Sequence, residues 1–430
     1  MIFPHRERQF LNFFAFFLFK GSKHPFCNCK KRKKVLYSLK RTTVGNSCKR
    51  TATTREMICM NDFAFTPVPF SRAQQKHRAA TRIYQGIPSI TSTAGGRLFA
   101  VWYGGDSGEG PDNYIMIVIS DDGGESWSSE EWVVDPPQSD VRAFDSSLFT
   151  APDGSVHCFW TQCRSSGIED IFDGRSGVWH SRCENPDAPP AEFRWSYPER
   201  ISDGIMMNRA VVLSDGTWAL PVSIWRQSKG VKAVNKPEAM MYVSEDDGKT
   251  FHYRGGVEVP AEFATYDEHS LYELSDGTLG MFIRKTRGGY FESFSKDAGR
   301  TWSQVTLSPL PGSNARGFMG KLASGNLLAV TNDAVNCRRN LTAFLSEDEG
   351  KTWKAKLRLD LRDKVSYPDV TQTPDGTLYI IYDHDRYDAG EILCTKLTEA
   401  DILSGNLSSP GSFAAVPVSK LSVTHKQLLK

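Results

Sequence analysis

Paired cysteines in metal-binding spacing are missing from this sequence. Its 430 residues include nine cysteines, an odd number, and no two of them are spaced as Cys-x-x-Cys. Neither a zinc site nor a disulfide framework is therefore expected, and free thiols in a reducing compartment are the default. We predict that the protein needs no metal ion or organic cofactor, and a cytoplasmic location is favoured.

Long apolar runs are also scarce. The stretch Phe10–Phe19 covers about ten residues, which is too short to span a bilayer, and no small-residue cleavage site follows it. Residues 1–50 carry 13 Lys and Arg but a single acid, Glu7. We predict that residues 1–59 are a disordered or non-native extension. The protein would be secreted only if the apolar stretch acted as a signal.

The rest of the chain has no excess of positive charge. Residues 51–430 contain 39 basic and 49 acidic residues, so a nucleic-acid partner is not expected. Aromatic residues make up 11% of the chain, and glycine and proline together number 57. This composition favours an all-β domain with many loops.

An eight-residue pattern, S-x-D-x-G-x-[TS]-[WF], recurs along the chain. Its copies are Ser120–Trp127, Ser244–Phe251, Ser295–Trp302 and Ser346–Trp353. The first gap has room for two units, and a degenerate copy could lie at Trp179–Arg182. In each copy we expect Asp to cap a tight turn, Gly to adopt a positive φ and the aromatic residue to pack on the sheet. These acids are predicted to be structural.

A second repeat gives the number of repeating structural units. Six glycine-containing turns each precede an apolar strand, at Gly96, Gly154, Gly216, Gly277, Gly325 and Gly376. Six repeats of roughly fifty residues, each with several short strands, predict a six-bladed β-propeller. We place it at residues 60–415, with a C-terminal tail at 416–430, and expect a monomer.

The stretch Thr265–Lys285 predicts a hairpin that holds two opposite charges at one rim. Its turn is Asp276-Gly277, and folding there brings Glu268 and Arg284 to the same end of two paired strands. A carboxylate beside a guanidinium suits chemistry on an anionic substrate. The alternative is a salt bridge with no further role.

The octapeptides resemble Asp-box repeats, and with the six-blade count the chain from about Arg82 to Leu397 resembles the sialidase (neuraminidase) superfamily. The resemblance implies an exo-glycoside hydrolase that releases a terminal acidic sugar from a carbohydrate substrate with retention of configuration. It also implies a Tyr nucleophile activated by Glu, an exception to the usual pair of carboxylates. Three arginines would bind the substrate carboxylate, and an Asp would be the acid/base.

Individual residues match this family pattern. Glu268 resembles the Glu that pairs with the nucleophile, and Arg284 resembles the second carboxylate-binding Arg. Arg338 resembles the third, with Arg339 as the alternative register, and Tyr367 resembles the nucleophile. A tyrosine has an ordinary pKa near 10, so a nearby carboxylate is needed to take its proton.

The acid/base is expected in the loop Tyr103–Tyr114, where three acids qualify. Counting back from Ser120 favours Glu109, whereas residue type favours Asp112. Asp106 is the third acid and is expected to contact substrate. The glycines, serine and proline of this loop suit a segment that covers a site.

One departure concerns the first carboxylate-binding arginine. The family begins with [FY]-R-I-P, whereas this chain reads Tyr84-Gln-Gly-Ile-Pro88, so Gly86 stands where that Arg is expected. Candidate replacements from other blades are Arg142, Arg209, Arg226 and Arg316. Two alternative functions remain. One is hydrolysis of another acidic sugar, such as a 2-keto-3-deoxy sugar acid or a uronide. The other is a carbohydrate-binding propeller without catalysis.

Overall fold

A computed structural model describes residues 63–105, 108–165, 170–172, 175–225, 239–264 and 266–423. By its contacts the chain divides into residues 1–58 and residues 59–430. The predicted N-terminal extension, residues 1–59, lies outside the described residues. Within the described part, no helix is long and apolar enough to cross a membrane.

The described residues form six antiparallel sheets, each built from one continuous stretch of chain. The first blade contains β1 (Ser71–Arg72), β2 (Tyr84–Ser92), β3 (Leu98–Gly105), β4 (Tyr114–Ser120) and β5 (Trp132–Val134). The second blade contains β6 (Val141–Thr150), β7 (Val156–Arg164), β8 (Gly177–Cys183) and β9 (Glu199–Asp203). The third blade contains β10 (Val211–Val212), β11 (Trp218–Ser223), β12 (Ala239–Ser244) and β13 (His252–Val257).

The other three blades follow the same order. The fourth contains β14 (Ser270–Glu273), β15 (Leu279–Arg284), β16 (Tyr290–Ser295) and β17 (Thr306–Leu307). The fifth contains β18 (Phe318–Lys321), β19 (Leu327–Asn332), β20 (Arg339–Ser346) and β21 (Ala355–Asp363). The sixth contains β22 (Val365–Gln372), β23 (Leu378–His384), β24 (Glu391–Leu397) and β25 (Phe413–Lys420). Helix α1 is Glu399–Ser404, and 3₁₀ turns occur at Gln75–His77, Asp170–Phe172 and Pro190–Glu192.

The sheets close into a ring. Strand β2 of the first blade packs against β6 of the second and against β22 of the sixth, so the two ends of the described chain meet. Large apolar side chains fill the space between sheets, and Trp102, Trp160 and Trp218 are fully buried. The predicted six-bladed, all-β propeller is therefore confirmed.

The glycine turns define the blades. Each of the six joins the innermost strand of a blade to its neighbour, and each glycine has a positive φ between 80° and 91°. Glycine adopts this left-handed conformation without a steric penalty, which explains why it recurs at this position. The period seen in the sequence is thus the period of the fold.

The octapeptides join β4 to β5, β12 to β13, β16 to β17 and β20 to β21, in the first, third, fourth and fifth blades. In the copy at Ser295–Trp302, Asp297 accepts hydrogen bonds from Ser295 Oγ (2.8 Å), Thr301 N (2.9 Å) and Thr301 Oγ1 (2.6 Å). These bonds lower the pKa of Asp297 to about 2. The carboxylate therefore holds the turn together, as the sequence predicts.

The last blade extends beyond the predicted boundary at residue 415. Strand β25 pairs with β24 as far as Lys420, so residues 416–420 belong to the sheet and not to a tail. In this blade helix α1 stands where four of the other blades have an octapeptide. Its N-cap, Thr398, accepts a hydrogen bond from Asp401 N.

Candidate active site

Tyr367 lies on β22, the innermost strand of the sixth blade, at an irregular point of the pairing. The register of β22 and β23 shifts between Ser366 and Asp369, and Tyr367 has a φ of +54°. Such a backbone is unfavourable for a bulky residue and must be held by its surroundings. Arg316 contributes, because its Nη2 donates to the carbonyl oxygens of Tyr367 and Pro368, both at 3.1 Å.

The hairpin of the fourth blade brings Glu268 and Arg284 together as predicted. Ser270 pairs with Phe282, and continuing this register by two residues places Glu268 beside Arg284. Arg284 Nη1 donates to Glu268 Oε1 at 2.6 Å. Both side chains are buried, with exposed fractions of 4% for Arg284 and 2% for Glu268. The other oxygen, Glu268 Oε2, is buried and has no hydrogen-bond partner in the described part of the chain.

Arg284 also connects this pair to Tyr367. The same Nη1 atom donates to the Tyr367 hydroxyl at 3.2 Å, so one nitrogen bridges the carboxylate and the phenol. Asn314 fixes the guanidinium from the other side, since its Oδ1 accepts from Arg284 Nη2 at 2.7 Å and from Nε at 3.1 Å. Burial by itself would lower the pKa of Arg284, but the interactions with Glu268 and Tyr367 are stronger and raise it. The guanidinium therefore stays charged.

Arg338, not Arg339, is the residue of the fifth blade that faces Tyr367. Its guanidinium carbon lies 5.0 Å from the centre of the Tyr367 ring, and its Nη2 donates to Asn314 O at 3.1 Å. Arg339 instead pairs with Asp363 at 2.9 Å, and both side chains are at least half exposed.

Of the two acids that the structure describes in the loop after β3, Glu109 and Asp112, Glu109 is the one that reaches the site. Its Oε1 accepts from Arg386 Nη1 at 2.6 Å and from the Tyr84 hydroxyl at 3.1 Å. Burial raises the pKa of Glu109, but Arg386, Arg142 and the Tyr84 hydrogen bond outweigh it, and the pKa lies below its ordinary value. Asp112 is exposed to solvent, and Asp106 lies outside the described residues.

The second blade contributes Arg142 and an acid that sequence analysis missed. Arg142 is buried, with its guanidinium carbon 3.9 Å from the centre of the Phe144 ring. Asp145 follows at a bulge of β6, and burial raises its pKa well above the ordinary value despite the nearby Arg142. Its carboxyl group is therefore harder to ionise than that of an ordinary aspartate. The sequence feature that could have identified Asp145 is the Arg-x-x-Asp pattern on an inner strand. This strand, β6, is bulged there, as β2 is at the equivalent place in the first blade.

The remaining arginine candidates lie elsewhere. Arg209 donates to Val370 O and lines a different cavity, of about 430 Å³, with Asn208 and Tyr272. Arg316 donates hydrogen bonds to main-chain carbonyl oxygens, including those of Met207 and Pro88. Arg226 lies outside the described residues. The prediction that Arg209 could replace the missing carboxylate-binding arginine therefore does not fit its position.

These side chains line one cavity of about 590 Å³, which we call the Tyr367 cavity. Its charged members are Glu109, Arg142, Asp145, Glu268, Arg284, Arg338 and Arg386, and its apolar wall includes Ile87, Phe144, Ile171, Met207, Trp225 and Tyr266. Its four arginines outnumber its three carboxyl groups, which favours an anionic ligand. The volume lies within the range of small-molecule sites.

Arg386 is the arginine of this cavity that sequence analysis did not identify. It lies in the loop between β23 and β24, and its guanidinium carbon is 4.8 Å from the centre of the Tyr367 ring. The local sequence, Asp383-His-Asp-Arg386, carries no pattern that separates it from a surface loop. Among the described residues, no group of three His, Cys, Asp or Glu side chains could hold a metal ion.

The sequence profile of the BNR repeat-like domain matches residues 96–380, about two thirds of the chain. The chain belongs to the BNR repeat-like domain family. No curated protein matches it significantly in sequence.

Solved structures similar to this BNR-repeat propeller include sialidases. The Hadza microbial sialidase Hz136 is 19% identical with a TM-score of 0.59, and the match covers 71% of this chain and 64% of that one. The NanB sialidase of Streptococcus pneumoniae is 14% identical with a TM-score of 0.60, and the match covers 78% and 71%. The intramolecular trans-sialidase of Ruminococcus gnavus is 14% identical with a TM-score of 0.59, and the match covers 76% and 97%.

At these identities the likeness concerns the fold. The predicted resemblance to the sialidase superfamily is confirmed at that level, and the BNR-repeat propeller spans less than two thirds of the Hadza enzyme's length.

Proposed function

We propose that this BNR-repeat propeller is an exo-glycoside hydrolase of the sialidase type, which releases a terminal acidic sugar of the sialic-acid class. The observation that carries the proposal is the bridge at Arg284 Nη1, which joins a buried carboxylate, Glu268, to the hydroxyl of Tyr367. Neighbouring arginines make the cavity around this bridge positive. The similar structures named above as sialidases support the same assignment through their fold.

In the proposed reaction Tyr367 is the nucleophile. Its oxygen forms a bond to the anomeric carbon while the bond from that carbon to the leaving oxygen breaks. The phenolic proton passes to Glu268, whose Oε2 has no other partner among the described residues. A phenol suits a sugar with a carboxylate on its anomeric carbon, because an Asp or Glu nucleophile would be repelled by that charge.

The arginines stabilise the charges that this reaction creates or brings in. Arg284 and Arg338 are the proposed carboxylate ligands, and both also flank Tyr367, where negative charge develops as its proton leaves. Arg142 lies across the cavity, on its Phe144 side. It adds to the positive potential that attracts the substrate.

Glu109 is the proposed acid/base. In the free protein its pKa lies below the ordinary value, so it is ionised at neutral pH. An anionic ligand offsets the cations that keep it ionised, and so favours uptake of a proton. Glu109 then protonates the leaving oxygen, and afterwards takes a proton from the water that cleaves the glycosyl-tyrosine bond. Two displacements at one carbon retain the configuration.

A panel of aryl glycosides tests this proposal against its two alternatives. Wild type and Tyr367→Phe are assayed on aryl glycosides of sialic acid, of its deaminated analogue, of a 2-keto-3-deoxy sugar acid and of a uronic acid. Tyr379→Phe is the control, because this tyrosine lies at the other end of the β22–β23 hairpin from Tyr367, with Lys396 near its ring.

We expect wild type and the control to release the aryl group from the sialoside, and Tyr367→Phe to be slower by at least about 10³-fold. Tyr367-dependent release from another acidic glycoside alone would support the second substrate class. Binding without turnover on any of the four would support a carbohydrate-binding propeller. Turnover that survives in Tyr367→Phe would contradict the proposed nucleophile.

A further inference from the structure

Gly86 leaves a space in the first blade that another residue fills. It lies on the inner strand β2, where the pairing with β3 is irregular between Gly86 and Ser89. A Cβ atom added at Gly86 would be 2.6 Å from Cγ of Arg386 and still closer to its Cδ. This is far inside van der Waals contact, so any side chain at position 86 and Arg386 in its present position exclude each other.

Arg386 is buried, and several side chains orient it. Its Nε lies 3.6 Å from Asp383 Oδ2, and its Nη1 donates to Glu109 at 2.6 Å and to the Tyr84 hydroxyl at 3.4 Å. Asp383 is itself fixed, because it accepts from Ile87 N at 2.9 Å and from Ser366 Oγ at 2.8 Å. One buried carboxylate thus ties Arg386 to the strand that carries Gly86.

Three blades each direct one guanidinium at Tyr367. Arg284 of the fourth blade donates to its hydroxyl, while Arg338 and Arg386, from the fifth and sixth blades, lie 5.0 Å and 4.8 Å from its ring centre. Three cations this close repel one another, and the carboxylates of Glu268 and Glu109 pair with only two of them, Arg284 and Arg386. A bound carboxylate would offset the remaining repulsion.

We propose that Arg386 binds the substrate carboxylate together with Arg284 and Arg338, supplied from the sixth blade in place of a side chain at position 86. This inference rests on the proposed function, because it assumes a substrate that carries a carboxylate next to the reacting carbon. It assigns Gly86 a role as well, since only glycine leaves room for the aliphatic part of Arg386.

The other arginines are less suited to this role. Arg142 packs on Phe144 at the side of the cavity contributed by the second blade, and no contact joins it to Tyr367 in the described structure. Arg209 lines the other cavity, and both Nη atoms of Arg316 donate to main-chain carbonyls. Arg386 alone among the four combines a position in the Tyr367 cavity with proximity to the Tyr367 ring.

The test compares a carboxylate ligand with its neutral methyl ester. Binding of the free sugar acid and of its ester is measured by calorimetry for wild type, Arg386→Gln and the control Arg358→Gln, an exposed residue of β21. We expect Arg386→Gln to weaken binding of the acid by about 10- to 150-fold, the loss of one charged hydrogen-bonding contact. Binding of the ester, and both affinities of the control, should change by less than about threefold.

A swap provides a second variant that keeps an arginine in the cavity. The double variant Gly86→Arg with Arg386→Gly should bind the acid at least about tenfold more tightly than Arg386→Gly alone. Removing the Arg386 side chain frees the space beside position 86, so an arginine there can bind the same carboxylate. Circular dichroism confirms that each variant is folded.

The outcomes separate this inference from the proposed function. If wild type turns over the sialoside but Arg386→Gln weakens acid and ester equally, the role of Arg386 is wrong and the proposed function stands. If the swap binds the acid no better than Arg386→Gly, positions 86 and 386 do not serve one carboxylate. If wild type does not distinguish the acid from its ester, the proposed function fails and this inference fails with it.

Discussion

The aspartates of the octapeptide turns and the carboxylates of the Tyr367 cavity are held in opposite ways. Asp297 receives all three of its hydrogen bonds from residues within four positions in the sequence. Glu268 is bonded to Arg284, sixteen residues away, and its second oxygen is buried without a partner in the described structure. A buried, unpaired oxygen destabilises the fold, so its presence needs a reason beyond stability.

The pKa values of the octapeptide aspartates and of the cavity carboxyl groups also differ. Hydrogen bonds lower the pKa of the octapeptide acids Asp246, Asp297 and Asp348 to about 2, which makes them uniformly ionised. In the Tyr367 cavity burial raises the pKa of Asp145, whereas arginines bring that of Glu109 below its ordinary value. Environments that drive carboxyl pKa values apart are typical of sites that exchange protons. The most conspicuous acids in the sequence are therefore the least suited to chemistry.

The largest expected contrast is between Glu268→Gln and Asp297→Asn. Removing the base next to Tyr367 should lower kcat by about 10²- to 10⁴-fold while the protein stays folded. Asp297→Asn should lower the melting temperature and leave kcat within about twofold, because its carboxylate contacts only its own turn. Both are measured by steady-state kinetics on an aryl sialoside and by thermal unfolding. Loss of turnover in folded Asp297→Asn would show that the distinction between the two sets of acids is false.

A second contrast lies within one loop, between Glu109 and Asp112. Glu109→Gln should slow release of a poor leaving group, such as an alkyl alcohol, by about 10²-fold or more, because that oxygen needs a proton. A nitrophenyl glycoside, whose leaving group needs no proton, should be affected much less in the bond-breaking step. Asp112→Asn, at an exposed position, should behave as wild type on both substrates.

The reverse result, with Asp112→Asn sensitive to the leaving group and Glu109→Gln insensitive to it, would assign the acid to Asp112.

Ligand binding offers an independent check on Glu109. Calorimetry in buffers of different ionisation enthalpy should detect proton uptake when an anionic ligand binds at neutral pH, and Glu109→Gln should abolish it.

The sequence was sufficient for the propeller because its repeats are local. A glycine with positive φ and a self-capped Asp depend on neighbouring residues, so six turns and four octapeptides could be identified before the structure. The pair Glu268 and Arg284 was also accessible, since one hairpin determines its register. Arg386 and Asp145 were not, because their roles depend on contacts between blades. Gly86 indicated that the arginine of the family pattern is absent, but the sequence did not indicate which side chain from another blade fills the space.

The octapeptide turns should affect stability more than activity, and Trp302→Ala measures by how much. Trp302 is half-buried against the apolar core shared by the third and fourth blades, and its Nε1 donates to Gly299 O at 3.0 Å. Partial burial predicts a loss of about 1.5–3 kcal/mol in the free energy of unfolding, less than for a fully buried aromatic residue. Chemical denaturation measures this loss. The kcat and KM of the folded variant should match wild type, and a changed KM would indicate that this turn communicates with the Tyr367 cavity.

The smallest expected effect is the pH dependence of one octapeptide. The carboxylate of Asp348 accepts from Thr352 N at 2.8 Å and from Thr352 Oγ1 at 2.6 Å, and its pKa falls from 3.8 to about 2. A group whose pKa is lower in the folded state stabilises the fold above its unfolded pKa, and this contribution is lost as the pH falls through the folded value. The difference in melting temperature between wild type and Asp348→Asn should therefore be constant from pH 7 to about 4 and shrink steadily below pH 4. Glu347→Gln, its exposed neighbour in the same turn, is the matched control and should show no such dependence. A difference for Asp348→Asn that persists unchanged down to pH 2 would mean that the turn is stabilised by its shape and not by the charge of its carboxylate.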